Sequence, residues 1–189
     1  YGLGEDGLLF RDASKKDWAT VINSENGLVN TMDLRDSSTD WGARFLNPAN
    51  DDVQEFILQM LADLAQYDVD GIVLDRCRYD DYGLMSDFSD ESREKFESFI
   101  GYTVANYPSD IFAPGTEELG TPTNLKKQWL AFRAKTIHDF VEKAAAKVHS
   151  VNPDIRFGAY VGGWYSSYYT SGVNWASPKY DPSADGYEW

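Results

Sequence analysis

Cysteine is nearly absent. Cys77 is the one thiol in 189 residues, so no disulfide can form within the chain and a disulfide-stapled scaffold is excluded. Histidine is almost as scarce. His138 and His149 fall about three turns apart on one expected helix, too far to share an ion. Both read as surface residues, and neither a metal nor a cofactor is expected. No apolar run approaches the roughly 18 residues that cross a bilayer, so no membrane-spanning segment is expected. Basic residues are few, 17 Lys and Arg against 31 Asp and Glu, for a formal net charge of −14. Duplex binding needs clustered Lys and Arg, so nucleic acid is not an expected partner, and anionic membrane surfaces are disfavoured. A GxGxxG or Walker-type loop is missing, and Gly162-Gly163 alone does not support nucleotide binding. No serine sits on a strand-to-helix elbow of the kind a Ser/His/Asp triad uses.

Aromatic residues are plentiful instead, 15% of the chain, with 6 Trp and 12 Tyr. Two explanations compete. Large rings can fill a core, or they can form a carbohydrate site where flat faces stack on sugars. The excess of amphipathic Trp and Tyr leans toward the second. The length suits a single domain spanning 1–189.

The first 46 residues read as a loop-rich entry. Leu8-Leu9-Phe10 is a short extended run at best. Trp18 to Ile22 is strand or helical turn, and Leu28 to Met32 another short strand. A strong element follows. Asn50 is a good N-cap, and Asp51 and Asp52 suit the first turn. Val53, Phe56, Ile57, Met60, Leu61 and Leu64 recur at steps of three and four, which predicts a helix over about 51–66. Gly71-Ile72-Val73-Leu74 then reads as a strand, closed by Asp75. A second helix–turn–strand unit repeats the order. Asn124 caps a long helix with Leu130, Ile137, Phe140, Val141, Ala144 and Val148 on its apolar side, ending before Asn152-Pro153. The strand 156–162 follows. Two such units predict a parallel sheet.

Residues 76–123 form a long excursion between the units, with a helix over about 90–100 capped by Ser89 and stopped by Gly101. Long connections after a parallel strand usually serve the site. Alternation places Ile72 and Leu74 on one face, with Phe157, Ala159 and Val161, toward helices. Gly71, Val73, Asp75, Gly158, Tyr160 and Gly162 take the other face, toward a barrel interior or crevice.

Chemistry in parallel α/β proteins sits at the C-terminal strand ends, which is where Asp75 falls. Asp75 is either a catalytic carboxylate or a structural partner of Arg76 or Arg78. Asp80, Asp81 and Asp87 crowd the same exit; a calcium site is the rival reading for these aspartates, and a solvated acidic loop is the alternative for Asp80 and Asp81. Glycoside hydrolysis needs two carboxylates, about 5–5.5 Å apart for retention and about 6.5–9.5 Å for inversion. Asp75 supplies one, positioned by Arg76 or Arg78, and the sequence does not identify the other.

These residues also carry a resemblance. Phe45-Leu46-Asn47-Pro48-Ala49-Asn50, then a helix, then Tyr67-Asp68-Val69-Asp70-Gly71-Ile72-Val73-Leu74-Asp75-Arg76-Cys77-Arg78-Tyr79, resembles the glycosyl-hydrolase-like family 10 proteins. Asp87-Phe88-Ser89 and Phe157-Gly158-Ala159-Tyr160 with Trp164-Tyr165 extend the likeness over roughly 40–175. The family comprises bacterial (β/α)8-barrel proteins, often secreted or lipid-anchored. The strand-end motif is also similar to the nucleophile strand of α-amylase-like barrels, which would make Asp75 the nucleophile. Two departures stand out. The next strand end reads Tyr160-Val161-Gly162-Gly163-Trp164, without the acid glutamate of those enzymes, and the Asn-Glu pair of family-10 xylanases is missing.

The resulting expectation is an α/β fold of (β/α)8 TIM-barrel type, present here as a partial, open barrel of about three to five parallel strands, because a full barrel takes about 250 residues. The resemblance implies a glycoside hydrolase acting on a polysaccharide or oligosaccharide, outside the cytoplasm or at the cell surface. Asp75 is the expected catalytic residue. Arg76, Arg78, Tyr79, Tyr160, Trp164 and Tyr165 are the expected sugar-binding residues. A non-catalytic glycan-binding protein on a degenerate barrel is the alternative, favoured by the missing acid. A flavodoxin-like or other doubly wound domain is a further rival. A second copy of the chain is one expected way to cover an open sheet edge.

Overall fold

The computed structural model describes residues 7–34, 45–113, 122–175 and 179. The fold is mixed α/β, with one small parallel and one small antiparallel sheet among the described residues. The elements run α1 (Leu8–Arg11), β1 (Val21–Ser24), β2 (Gly27–Asn30), α2 (Asp51–Leu64), β3 (Gly71–Asp75), α3 (Asp90–Ile100), α4 (Asn124–Val151) and β4 (Arg156–Tyr160). Short 3-10 turns punctuate the loops, the last covering Tyr165–Ser171.

The parallel pair is the frame. β3 and β4 lie side by side in the register Gly71↔Arg156 through Asp75↔Tyr160. Helices α2 and α4 cover one face. Leu61, Ala65, Phe140, Ala144 and Val148 close over Ile72, with Leu74 and Phe157 packed alongside. This is the alternation the sequence dictates. The other face carries Val73, Asp75 and Tyr160, and all three are exposed. Two parallel strands pair here among the described residues, fewer than the three to five expected. The loop-rich entry supplies an antiparallel hairpin, β1–β2, instead of further parallel strands.

Local signals behave as expected at most helix ends. The Asn50 side chain accepts from the Val53 N–H at 2.9 Å and starts α2. Ser89 accepts from the Ser92 N–H at 3.2 Å and starts α3. Gly101 ends α3 in the left-handed conformation at φ 80°, which a side chain would resist. The long helix is capped one residue earlier than expected, by Thr123, whose hydroxyl accepts from Lys126 N–H. Asn124 is therefore its first turn. Leu8-Leu9-Phe10 forms the short helix α1, not an extended run, because Leu9 must bury against Trp18 and Val53. β4 stops at Tyr160, two residues short of the expected strand.

The excursion after β3 is not an open loop. It has its own core of Leu84, Phe88, Phe96, Val104, Ile111 and Phe112, closed over the start of α4. Trp129 sits at the centre, fully buried. Phe88 stacks on it at 4.9 Å and Phe96 meets it edge-on at 4.8 Å. A ring of that size buries roughly 150–250 Å², on the order of 4–6 kcal/mol of transfer free energy.

Candidate functional site

The strand β3 ends in Asp75, and the next residue turns sharply. Arg76 has φ 51°, the one non-glycine residue with positive φ among those described. A side chain in that region costs about 1 kcal/mol or more. The Arg78 N–H then bonds the Arg76 carbonyl at 2.8 Å, so the chain doubles back at the strand mouth. The result is a cleft of about 150 Å³ lined by residues 75–78, 159–162, Trp164, Val173 and Trp175. It opens at the C-terminal ends of both parallel strands.

Several of the expected residues meet there. Asp75 is exposed and is the register partner of Tyr160, itself 72% exposed. Among the described residues the Asp75 carboxylate makes no hydrogen bond or ion pair, and no other carboxylate lines the cleft. Trp164 is 39% exposed and meets Tyr168 edge-on at 4.9 Å. The Tyr168 hydroxyl donates to the Gly162 carbonyl and pins the turn between β4 and Trp164. Of the four tryptophans described, Trp18 and Trp129 are core and Trp164 and Trp175 line the cleft, so core packing accounts for only part of the aromatic content. The side chain of Tyr165 lies outside the described residues.

The arginines line the cleft without pairing with Asp75. Arg76 Nη1 lies 3.2 Å and Arg78 Nη2 2.9 Å from opposite oxygens of Asp81. Both guanidiniums are taken by Asp81, and among the described residues the expected Asp75 pairing does not form. Each also lies over a ring, Arg76 over Phe45 at 6.0 Å and Arg78 over Trp164 at 5.8 Å.

Tyr79 lies behind the cleft, fully buried. Its ring carries the buried Arg133 guanidinium at 4.2 Å, and its N–H bonds Ser171 O at 3.0 Å. Gly172 is required beside it. Its φ is 70°, and a Cβ there would fall 2.9 Å from the Tyr79 ring. Tyr79 thus holds the segment that follows Trp164.

Asp80 and Asp87 are buried, not solvated. Asp80 accepts from Ser86 Oγ at 2.7 Å, from the Tyr82 N–H at 3.0 Å and from Thr20 Oγ1. Asp87 accepts from the Val21 N–H at 2.6 Å and from the hydroxyls of Ser89 and Ser92 at 2.6 and 2.7 Å. Chain donors occupy these oxygens, so the two carboxylates lock β1 onto the loop after β3. Burial pushes the Asp87 carboxyl up to about 6, and burial raises Asp80 as well.

Two other groups bear on ligand chemistry. His138, Asp139 and Glu142 on α4 bring one potential metal-ligating atom each within 4.8 Å of the others, but the Lys135 ammonium already holds Asp139 at 2.6 Å. A groove of about 350 Å³ runs between α2, α3 and α4 and includes Lys95, Phe99, Lys135 and Lys143. Lys95 there is paired with Asp51 and Glu91. Nothing in the sequence marks Trp175 as a cleft residue, since it follows no motif and reaches the site through the turn after Trp164.

Comparison with known proteins gives two findings. The sequence profile of the family described as glycosyl hydrolase-like 10 matches residues 13–180. An "S-layer-related protein" of Niallia circulans is 39% identical over 178 residues, covering 88% of this chain. The chain spans 11% of that relative's length. No helix among the described residues is long and apolar enough to cross a membrane.

Proposed function

This chain belongs to the glycosyl hydrolase-like 10 family, and from that premise we propose that it forms part of a (β/α)8-type barrel whose strand-end cleft binds and cleaves a polysaccharide or oligosaccharide. Asp75 is the nucleophile or essential carboxylate. Tyr160, Trp164 and Trp175 hold the sugar rings, and Arg76 and Arg78 hold its polar substituents. The observation that carries the reading is the pairing of an exposed strand-end carboxylate, Asp75, with an exposed strand-end ring, Tyr160, in one cleft with Trp164. A saccharide needs both, a flat apolar face to stack on and a carboxylate at the anomeric carbon. The name of the Niallia circulans relative supports a place at the cell surface.

A second reading has its own support. Asp75 is the one carboxylate among the described residues that line the cleft, and hydrolysis needs two. A cleft with one carboxylate and several rings suits glycan binding without cleavage. Two readouts on the intact protein separate these. The enzyme reading expects release of reducing ends from oligosaccharides, lost in Asp75→Asn with binding retained. The binding reading expects equal binding by both proteins and no release. Absence of any saccharide binding would reject both.

A further inference from the structure

We infer that the saccharide taken by this cleft is acidic, carrying a carboxylate that Arg76 and Arg78 recognise. The inference rests on the carbohydrate reading above and narrows its substrate class.

Three observations converge. The chain is short of cations, 17 Lys and Arg against 31 acidic residues, yet two of its arginines stand on one cleft wall, two residues apart. Charge placed against the overall balance, at a ligand-sized opening, marks an anion partner more strongly than the same pair would on a basic protein. Their geometry is fixed. Each guanidinium lies over an aromatic ring, Phe45 or Trp164, and both share the Asp81 carboxylate, which is itself more than half exposed. The ring contacts and the shared Asp81 anchor restrain the planar forks, so less side-chain freedom is lost when a ligand carboxylate arrives. The backbone is also bent to present them. Arg76 occupies a left-handed conformation where glycine would be free of strain. The cost of keeping a side chain there is repaid if the guanidinium itself is used.

The division of labour follows from the lining. Trp164 and Tyr160 take the apolar face of the ring, Arg78 and Arg76 take the acidic substituent, and Asp75 stays clear of both arginines. A neutral sugar would add only hydroxyl partners to guanidiniums that already share Asp81. An acidic one adds charge-assisted, two-pronged hydrogen bonds.

The test is binding of the intact protein to paired saccharides of which one carries a carboxylate where the other has a C6 hydroxyl: oligogalacturonate against oligogalactose, and glucuronate-containing against glucose-containing oligosaccharides. The expected result is at least about tenfold tighter binding of an acidic member than of its neutral counterpart, weakened by added salt. Arg78→Gln and Arg76→Gly should each erase most of that preference. Arg76→Gly relieves the left-handed backbone, and its thermal midpoint, read beside binding, separates lost selectivity from lost folding. Arg156→Gln removes the same charge from the far end of β4 and should change nothing. Equal binding of acidic and neutral members, or a preference that survives both arginine substitutions, would overturn the inference while leaving the carbohydrate reading intact. Failure to bind any saccharide would overturn both.

Discussion

Asp75 and Tyr160 face one another across the last register position of the parallel pair, one from β3 and one from β4, both exposed at the same sheet end. Neither contributes to the core that α2 and α4 build on the opposite face. Their cost to stability is small, and whatever they do, they do toward solvent or a ligand.

Asp75→Asn should therefore leave the thermal midpoint nearly unchanged, since an exposed carboxylate without a partner among the described residues stabilises little. If the intact protein cleaves saccharides, turnover should fall by roughly 10²–10⁴-fold. Calorimetry and a reducing-end assay measure the two effects separately. A large drop in the midpoint with activity retained would show Asp75 to be structural.

Trp164→Ala should weaken oligosaccharide binding by roughly tenfold, about 1.4 kcal/mol. Its cost to folding should stay below about 1 kcal/mol, because the ring is partly exposed and its described ring contact is Tyr168. Titration calorimetry beside thermal denaturation checks both numbers.

Trp129 is the internal contrast. It is fully buried at the centre of the excursion's core, stacked on Phe88. Trp129→Ala should cost about 3–5 kcal/mol, with no direct part in ligand binding. Chemical denaturation gives the value. A cost under about 1 kcal/mol would mean that this core does not support the fold.

Stability should fall as pH rises from below 4 to above 6. Burial raises Asp87 from an unfolded value of 3.8 to about 6, and Asp80, raised as well, faces it. Across that window the folded state binds more protons than the unfolded state, so raising the pH favours unfolding. One pKa unit corresponds to about 1.4 kcal/mol, so the loss is on the order of a few kcal/mol. Asp87→Asn mimics the protonated form. Its amide can face the Ser89 and Ser92 hydroxyls while its carbonyl keeps the Val21 N–H. The substitution should flatten the pH dependence between 4 and 6, read from denaturation midpoints. An unchanged slope would assign it to other groups.

What the sequence discloses follows the range of the interaction. α2 is legible because its cap, Asn50, and its apolar face are local, and Asp75 is legible because a short apolar strand ends on it. The sides taken by Ile72, Leu74, Val73 and Tyr160 follow from strand alternation. Other features depend on contacts remote in sequence. Trp129 buries against Phe88 and Phe96, some thirty to forty positions away, so the excursion reads as loop until its core is seen. Asp80 and Asp87 look like surface acids because their partners Thr20 and Val21 lie just before and at the start of β1, remote in sequence. The arginines pair with Asp81, five and three positions on in sequence, and not with Asp75. Tyr79 shares a motif with the cleft residues, yet Arg133 and Gly172 draw it inward.

Where a saccharide contacts the protein decides whether the strand-end cleft is the site. Amide chemical shifts of the labelled protein, followed during titration with an oligosaccharide that binds, report the contact residue by residue. Perturbations should concentrate at 75–78, 159–164 and Trp175, with the groove of Lys95, Phe99 and Lys143 unaffected. Perturbations centred on that groove, with Asp75 and Tyr160 silent, would contradict the strand-end cleft as the site.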